Sequence, residues 1–238
     1  VDGRIVYTES ERLVSLDLSG VRETLFPIEL NKPVLQPSHH KFHLGGIDSE
    51  TAYVLFNREG PGVECDGVTP TDKAVGDGIA EIDRNGQELW RWEVFDHPVE
   101  IPADVIDPEL CGDDFWGPGT FDWTHANSVD PIAGEEAFLV SLRNINRVIK
   151  IDRGNSDLVW QIGPGLDFTW TGSEPPEEQW FYRQHDAHWI GQDRLLLFDN
   201  NLQERGWSRA LELAVDENAK TAELAWEYRM PHAYAQGN

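Results

Sequence analysis

The stretch Phe121–Arg143, FDWTHANSVDPIAGEEAFLVSLR, sets a histidine at the start of a short segment, crosses a turn and runs into a hydrophobic second segment. The pattern occurs three times: His40 stands ahead of AYVLFNR, His125 ahead of AFLVSLRN and His185 ahead of RLLLFDNN. Short alternating runs bounded by Gly, Pro, Asn and Asp have the pattern of β-strands. The three histidines are therefore expected at one structural position, each on the first strand of a repeat.

The third strand of each repeat measures the period. LVSLD, IAEID, VIKID and ALELAVD end at Asp17, Asp83, Asp152 and Asp216, with spacings of 66, 69 and 64 residues. Each is followed by a turn and a last strand, RETLF, ELWRWEV, DLVWQIG and AELAWEY, with the alternation of half-buried strands. Four antiparallel strands per repeat predict an all-β fold, a β-propeller whose innermost strands line a central channel. Blades are expected at 4–28 (outer three strands only), 38–94, 122–163 and 181–228 of a single domain over 1–238. Insertions at Glu59–Gly78, Asp96–Thr120 and Gly163–Gln179 lengthen the repeats and are expected to roof one mouth of the channel. An open arc leaves sheet faces uncovered. The chain thus reads as part of a longer propeller or, alternatively, as a small four-bladed one closed by its own ends.

Composition narrows the function. Forty-three Asp and Glu against 19 Lys and Arg give a formal charge of −24. A surface this acidic repels nucleic acid and anionic membranes, whose phosphates call for a basic patch. Lys is scarce, which fits a salt-tolerant source or ordinary solubility charge. No run of 18 apolar residues spans a membrane, and VDGRIVY carries no signal-peptide pattern. Cys65 and Cys111, without metal-ligand spacing, read as one disulfide between long loops or as two free thiols.

Inner strands of neighbouring blades converge on one axis, so His40, His125 and His185 can meet there with Arg143, which ends the second strand of the His125 repeat. A buried guanidinium among imidazoles is an anion site by charge and geometry. Clustered cations lower one another's pKa, which favours neutral, nucleophilic imidazole near pH 7. Three convergent histidines also suit a metal such as zinc. His43 and His188, each three residues beyond a repeat histidine, are expected on the opposite strand face. His97 and His232 fall in a loop and an incomplete blade. Asp122, Trp123 and Asn127 are placed to orient His125 or pack the blade, and Asp186 to hold a ring nitrogen of His185 or serve as a turn carboxylate. Trp90, Trp92, Trp160 and Trp226 read as inter-blade core. Phe115, Trp116, Phe168, Trp170, Trp180 and Tyr182, in or beside the insertions, are candidates to stack on an aromatic substrate.

DWTHANSVD, VSLRNINRVIKIDR with VWQIG, QHDAHW followed by LLLFDN, and AWEY together resemble the arylsulfotransferase family of bacteria and archaea, in order, over about Ser38–Tyr228. The resemblance implies a six-bladed propeller and an enzyme that moves a sulfuryl group from an aryl sulfate to a phenol without nucleotide sulfate or other cofactor. It implies His185 as the transiently sulfated nucleophile, with His125 and Arg143 beside it; Asn127, Trp123 and Tyr182, by their own positions, are expected to contact the substrate. SHHKF matches the family's HHD-type segment, with Lys41 where Asp is common, so the further histidine is His40 or His39. The family is commonly exported, which implies a periplasmic or extracellular location. The alternatives from other classes are a non-catalytic propeller binding an anionic or aromatic ligand or a protein partner, and a metal-dependent hydrolase or lyase.

Overall fold

The computed structural model describes residues 3–9, 11–31, 34–44, 49–62, 64–65, 69–70, 73–96, 116–117, 120–201 and 206–229. Its regular structure, among the described residues, is almost wholly β-strand. The first sheet holds β1 (Ile5–Glu9), β2 (Arg12–Leu16) and β3 (Arg22–Pro27) in chain order. The second is built on β4 (Phe42–Leu44), β5 (Thr51–Pro61), β8 (Lys73–Asp83) and β9 (Glu88–Glu93), with the small hairpin β6 (Glu64–Cys65) and β7 (Thr69–Pro70) between β5 and β8. β10 (Thr120–Asp122) adds to it, parallel to the start of β8. The third sheet is the meander β11 (Ala126–Pro131), β12 (Ala137–Leu142), β13 (Arg147–Asp152) and β14 (Leu158–Ile162). The fourth runs β16 (His185–Gly191), β17 (Arg194–Asp199), β18 (Arg209–Asp216) and β19 (Thr221–Arg229), with β15 (Thr169–Trp170) parallel to β19.

The aspartates that mark the period are turn-makers. Asp17 Oδ1 accepts the N–H groups of Ser19 and Val21, and Asp83 Oδ1 those of Asn85 and Gln87. Asp152 takes Gly154 and Asn155, and Asp216 takes Asn218 and Ala219. A carboxylate that holds amides two to four residues on closes the hairpin to the last strand.

Packing departs from the half-buried pattern. Every residue of β12 is buried. Its alternate side chains enter two different cores: Phe138, Val140 and Leu142 join Trp92, Phe121 and Trp123, while Ala137 and Leu139 join Trp160, Leu195 and Leu211. β5 splits likewise, with Leu55 on one side and Val54 and Phe56 on the other, against Leu13 and Phe26. Successive sheets thus pack face to face, and a strand covered on both faces loses the polar half of its alternation.

Trp90 stacks on Phe138 at 5.4 Å, and Trp92 and Trp160 are buried, as inter-sheet core. Trp226 is not: it is 50% exposed because no described sheet covers that face of β19. Two insertions are also structured differently from the expected roof. Glu59–Gly78 begins and ends as continuations of β5 and β8, paired from Glu59–Val75 out to Pro61–Lys73, and Gly163–Gln179 folds back as β15 beside β19. Ladder pairing satisfies backbone groups that a free loop would leave to water. Most of Asp96–Thr120, with His97, Cys111 and Phe115, lies outside the described residues, as does His232.

Candidate active site

The first strands β4, β11 and β16 lie side by side at one edge of the stacked sheets, tied by hydrogen bonds that cross between sheets. Asn127 Nδ2 donates to Gln184 O at 2.7 Å, Ala187 N donates to Ser128 Oγ at 3.1 Å, and Trp189 N donates to Asp130 Oδ2 at 3.1 Å. His40 and His125 stand just before β4 and β11 in the left-handed backbone region, at φ 51° and 48°. This conformation is uncommon for residues with a Cβ and kinks the chain where it enters the strand. In the third repeat it belongs to Asp186 (φ 57°), and His185 comes one residue before it. The equivalence of the three histidines is therefore broken by one residue in the last copy.

The His40 and His125 rings meet edge to face at 5.0 Å. His39 turns into the wall instead: its Nε2 lies 3.0 Å from Asp77 Oδ1, at ion-pair distance without hydrogen-bond geometry. Burial pushes Asp77 up, but the contacts from His39, Thr124 and the Ala126 N–H outweigh it and hold the carboxyl below its usual range. His40, with its ring against His125, is the member of the pair that faces the cluster. Asp122 Oδ2 accepts His125 Nδ1–H at 2.5 Å, leaving Nε2 for chemistry. The guanidinium joins the same group, since Arg143 Nη1 donates to Asn144 Oδ1 at 2.7 Å and Asn144 Nδ2 to Asp122 O at 2.6 Å.

His185 Nδ1 lies 3.1 Å from Arg183 O and 2.7 Å from Asn200 Nδ2. Burial lowers the pKa of His185 most, the Arg183 carbonyl pulls it back up, and the charges of Arg143 and His125 lower it further, for a net downward shift. Crowding by protein, followed by the charges of His39 and His125, brings His40 to about 4. Both imidazoles are neutral at pH 7, and the four groups act on one another.

These shifts give a stability prediction. The unfolded chain protonates His40 near 6.5 and the folded protein near 4, so the unfolded state binds more protons between those values. Stability present above pH 6.5 is lost as pH falls through that window. Urea midpoints from pH 7 to 4 are expected to fall more steeply for the wild type than for His40→Gln; equal slopes would contradict the assignment.

Below this cluster lies a second polar layer. Lys41 Nζ is 2.7 Å from Asp186 Oδ1 and 2.6 Å from His188 Nε2, and His188 Nδ1 is 3.0 Å from Asp130 Oδ1. Asp130 and Asp186 raise His188 to about 9, and His188 and Lys41 hold Asp186 well below the usual carboxylate range. His188 contacts Lys41, Asp130 and Asp186 rather than the His40–His125 pair, and Lys41 clasps β4's lead-in to β16. Asp186 serves Lys41 and His188; the ring nitrogen of His185 is held by Arg183 and Asn200.

Trp123 and Asn127 take the packing role that was one of the two read for them. Trp123 is 6% exposed and packs on Phe95 at 5.3 Å, because the chain turns only after it, at His125. Asn127 is buried with its amide committed at both ends, to Gln184 O and Asp186 N. Tyr182 is half-buried in the lead-in to β16, its N–H on Asp199 Oδ1 at 3.0 Å. Phe168 belongs to the core under Trp160, while Trp170 and Trp180 pair at 5.3 Å. Asn200, Asp77 and Lys41 were not singled out as site residues; the LLLFDN and SHHKF segments held two of them. Among the described residues no three His, Cys, Asp or Glu side chains are grouped to hold a metal, and no helix is long and apolar enough to cross a membrane.

Sheets stacked face to face, with histidines and an arginine gathered at the edge of their first strands, define an all-β protein with a polar, anion-compatible cluster. The chain belongs to the arylsulfotransferase (ASST) family, whose profile matches residues 1–236. The comparison with curated proteins gives no match. Among solved structures it is similar to KlHsv2 with loop 6CD replaced by a Gly-Ser linker, at 10% identity and TM-score 0.41, over 98% of this chain and 57% of that one. It is also similar to the major Malassezia sympodialis allergen Mala s 1, at 8% identity and TM-score 0.46, over 98% of this chain and 76% of that one. The chain thus spans less than two thirds of the first of these, and neither likeness carries weight in the functional argument.

Proposed function

We propose that this protein is an aryl-sulfate sulfotransferase that works through a sulfohistidine, without nucleotide sulfate, on a small aryl sulfate donor and a phenol acceptor. The observation that carries the reading is the gathering of His40, His125, Arg143 and His185 in one electrostatic cluster within a chain of the ASST family. His185 Nε2 attacks sulfur, forming the N–S bond as the S–O bond to the aryl group breaks and phenolate leaves. Arg143, His125 and His40 hold the sulfuryl oxygens, and His125, fixed by Asp122, supplies the phenolate with a proton. The acceptor phenol then attacks sulfur, its proton passing to His125, and His185 is released. Positioning and charge stabilisation supply most of the rate, as in phosphoryl transfer.

The sheets are on this reading successive blades of one propeller domain, six-bladed in the complete fold, with the cluster at its axis. A periplasmic or extracellular location goes with the family resemblance.

The test is incubation with 4-nitrophenyl sulfate, with and without phenol, following nitrophenolate and seeking sulfated histidine by mass spectrometry. Phenol-dependent release with the label on His185 is expected. No release and no label over a panel of aryl sulfates, from folded protein, would replace this reading with a binding propeller.

A further inference from the structure

His185 Nδ1 meets two partners that demand opposite protonation. The Arg183 carbonyl at 3.1 Å accepts and so calls for Nδ1–H, whereas the Asn200 amide at 2.7 Å donates and calls for a bare Nδ1. Rotating the Asn200 amide does not resolve this. Its Nδ2 also donates to Arg183 O at 2.9 Å, and an oxygen placed there would face that carbonyl. One neutral imidazole satisfies only one of the two partners at a time.

We propose that Asn200 is a positioning residue that selects the tautomer of His185 and serves the second half of the transfer. This rests on the sulfohistidine reading above. In the resting protein the Asn200 N–H holds Nδ1 bare, so the proton sits on Nε2. For attack, the proton must move to Nδ1, where Arg183 O accepts it, and Nε2 becomes the nucleophile. Once Nε2 carries the sulfuryl group, the electron-poor ring gives up its Nδ1 proton to solvent and Asn200 donates to the bare nitrogen. When the acceptor oxygen takes the sulfur, the N–S electron pair returns to Nε2. The Asn200 N–H then stabilises the negative charge growing on the ring until Nδ1 or Nε2 takes back from solvent the proton given up earlier, while the acceptor's proton stays on His125 and restores it for the next cycle. The same amide thus restrains the first half-reaction and assists the second.

Asn200 suits a clean test, because its side chain makes these two contacts at the site and its backbone carbonyl separately holds Ser208 Oγ at 3.1 Å. In the full chain, nitrogen-15 NMR is expected to show His185 protonated on Nε2 in the wild type and on Nδ1 in Asn200→Leu. With 4-nitrophenyl sulfate and phenol, Asn200→Leu is expected to keep a rapid first release of nitrophenolate while steady turnover falls about tenfold and sulfated His185 accumulates. Asn200→Ala gives the same comparison with a smaller side chain if the leucine disturbs folding. A wild type already protonated on Nδ1, or variants that lose both half-reactions equally with no accumulation, would overturn the role of Asn200. Absence of label in the wild type would instead remove the sulfohistidine reading, while the NMR result would still judge the tautomer.

Discussion

His185→Ala is expected to release no nitrophenolate above background from 4-nitrophenyl sulfate and to carry no sulfate label, a loss of at least about a thousandfold in kcat. A missing covalent nucleophile removes the two-step path itself, and the remaining groups retain only binding and charge stabilisation. The ring is partly open to solvent and its contacts are local, to Arg183 O and Asn200, so the variant should fold. Arg143→Met is expected to retain the label at a rate lower by roughly a hundredfold, the order seen when one charge-stabilising donor is lost. Quench-flow labelling of the two variants separates the roles. Label on another histidine in His185→Ala would move the nucleophile to that residue.

The largest expected effect on stability is at Arg209. Its guanidinium is fully buried and reaches Asp199 Oδ2 and Glu227 Oε2, each at 2.9 Å, and the carbonyls of Glu178 and Trp180. Asp199, itself buried, uses Oδ1 to receive the N–H groups of Tyr182, three residues before His185, and of Asn201, next to Asn200. Arg209→Met removes the guanidinium from the buried Asp199 carboxylate and from two carbonyls that it serves. Breaking a buried pair from one side costs about 3–5 kcal/mol, or roughly a 10 °C fall in midpoint for a chain of this size. Arg229→Met, which removes an exposed guanidinium paired with Glu178 and Glu227, is expected to cost less than about 1 kcal/mol. Thermal unfolding of both compares like with like. A similar fall in each would show that Arg209 is not the anchor of the His185 lead-in.

How much of this was legible depends on the range of the interaction. Asp83 and Asp152 announce their hairpins because a carboxylate binds amides two to four residues away. His40 and His125 were placed by their recurrence at the mouths of repeated strand pairs, and Arg143 by its position at the end of the second strand of the His125 repeat. For Trp123 and Asn127 the sequence left two roles open, packing or substrate contact, because nearness to His125 says nothing of direction: the left-handed kink separates the Trp123 side chain, bound for the core, from the strand that follows.

By itself the sequence determined that this chain forms repeated antiparallel strands with a histidine at the entry of three of them, since alternation and turn chemistry are local. Only the tertiary structure decided what those histidines face. Lys41 finds Asp186 across 145 residues, Asp77 receives Thr124 across 47, and the Asn200 amide, just past the end of its strand, lands on His185. Such contacts are made by packing whole sheets against one another, and no periodicity along the chain encodes which side chains meet at their common edge.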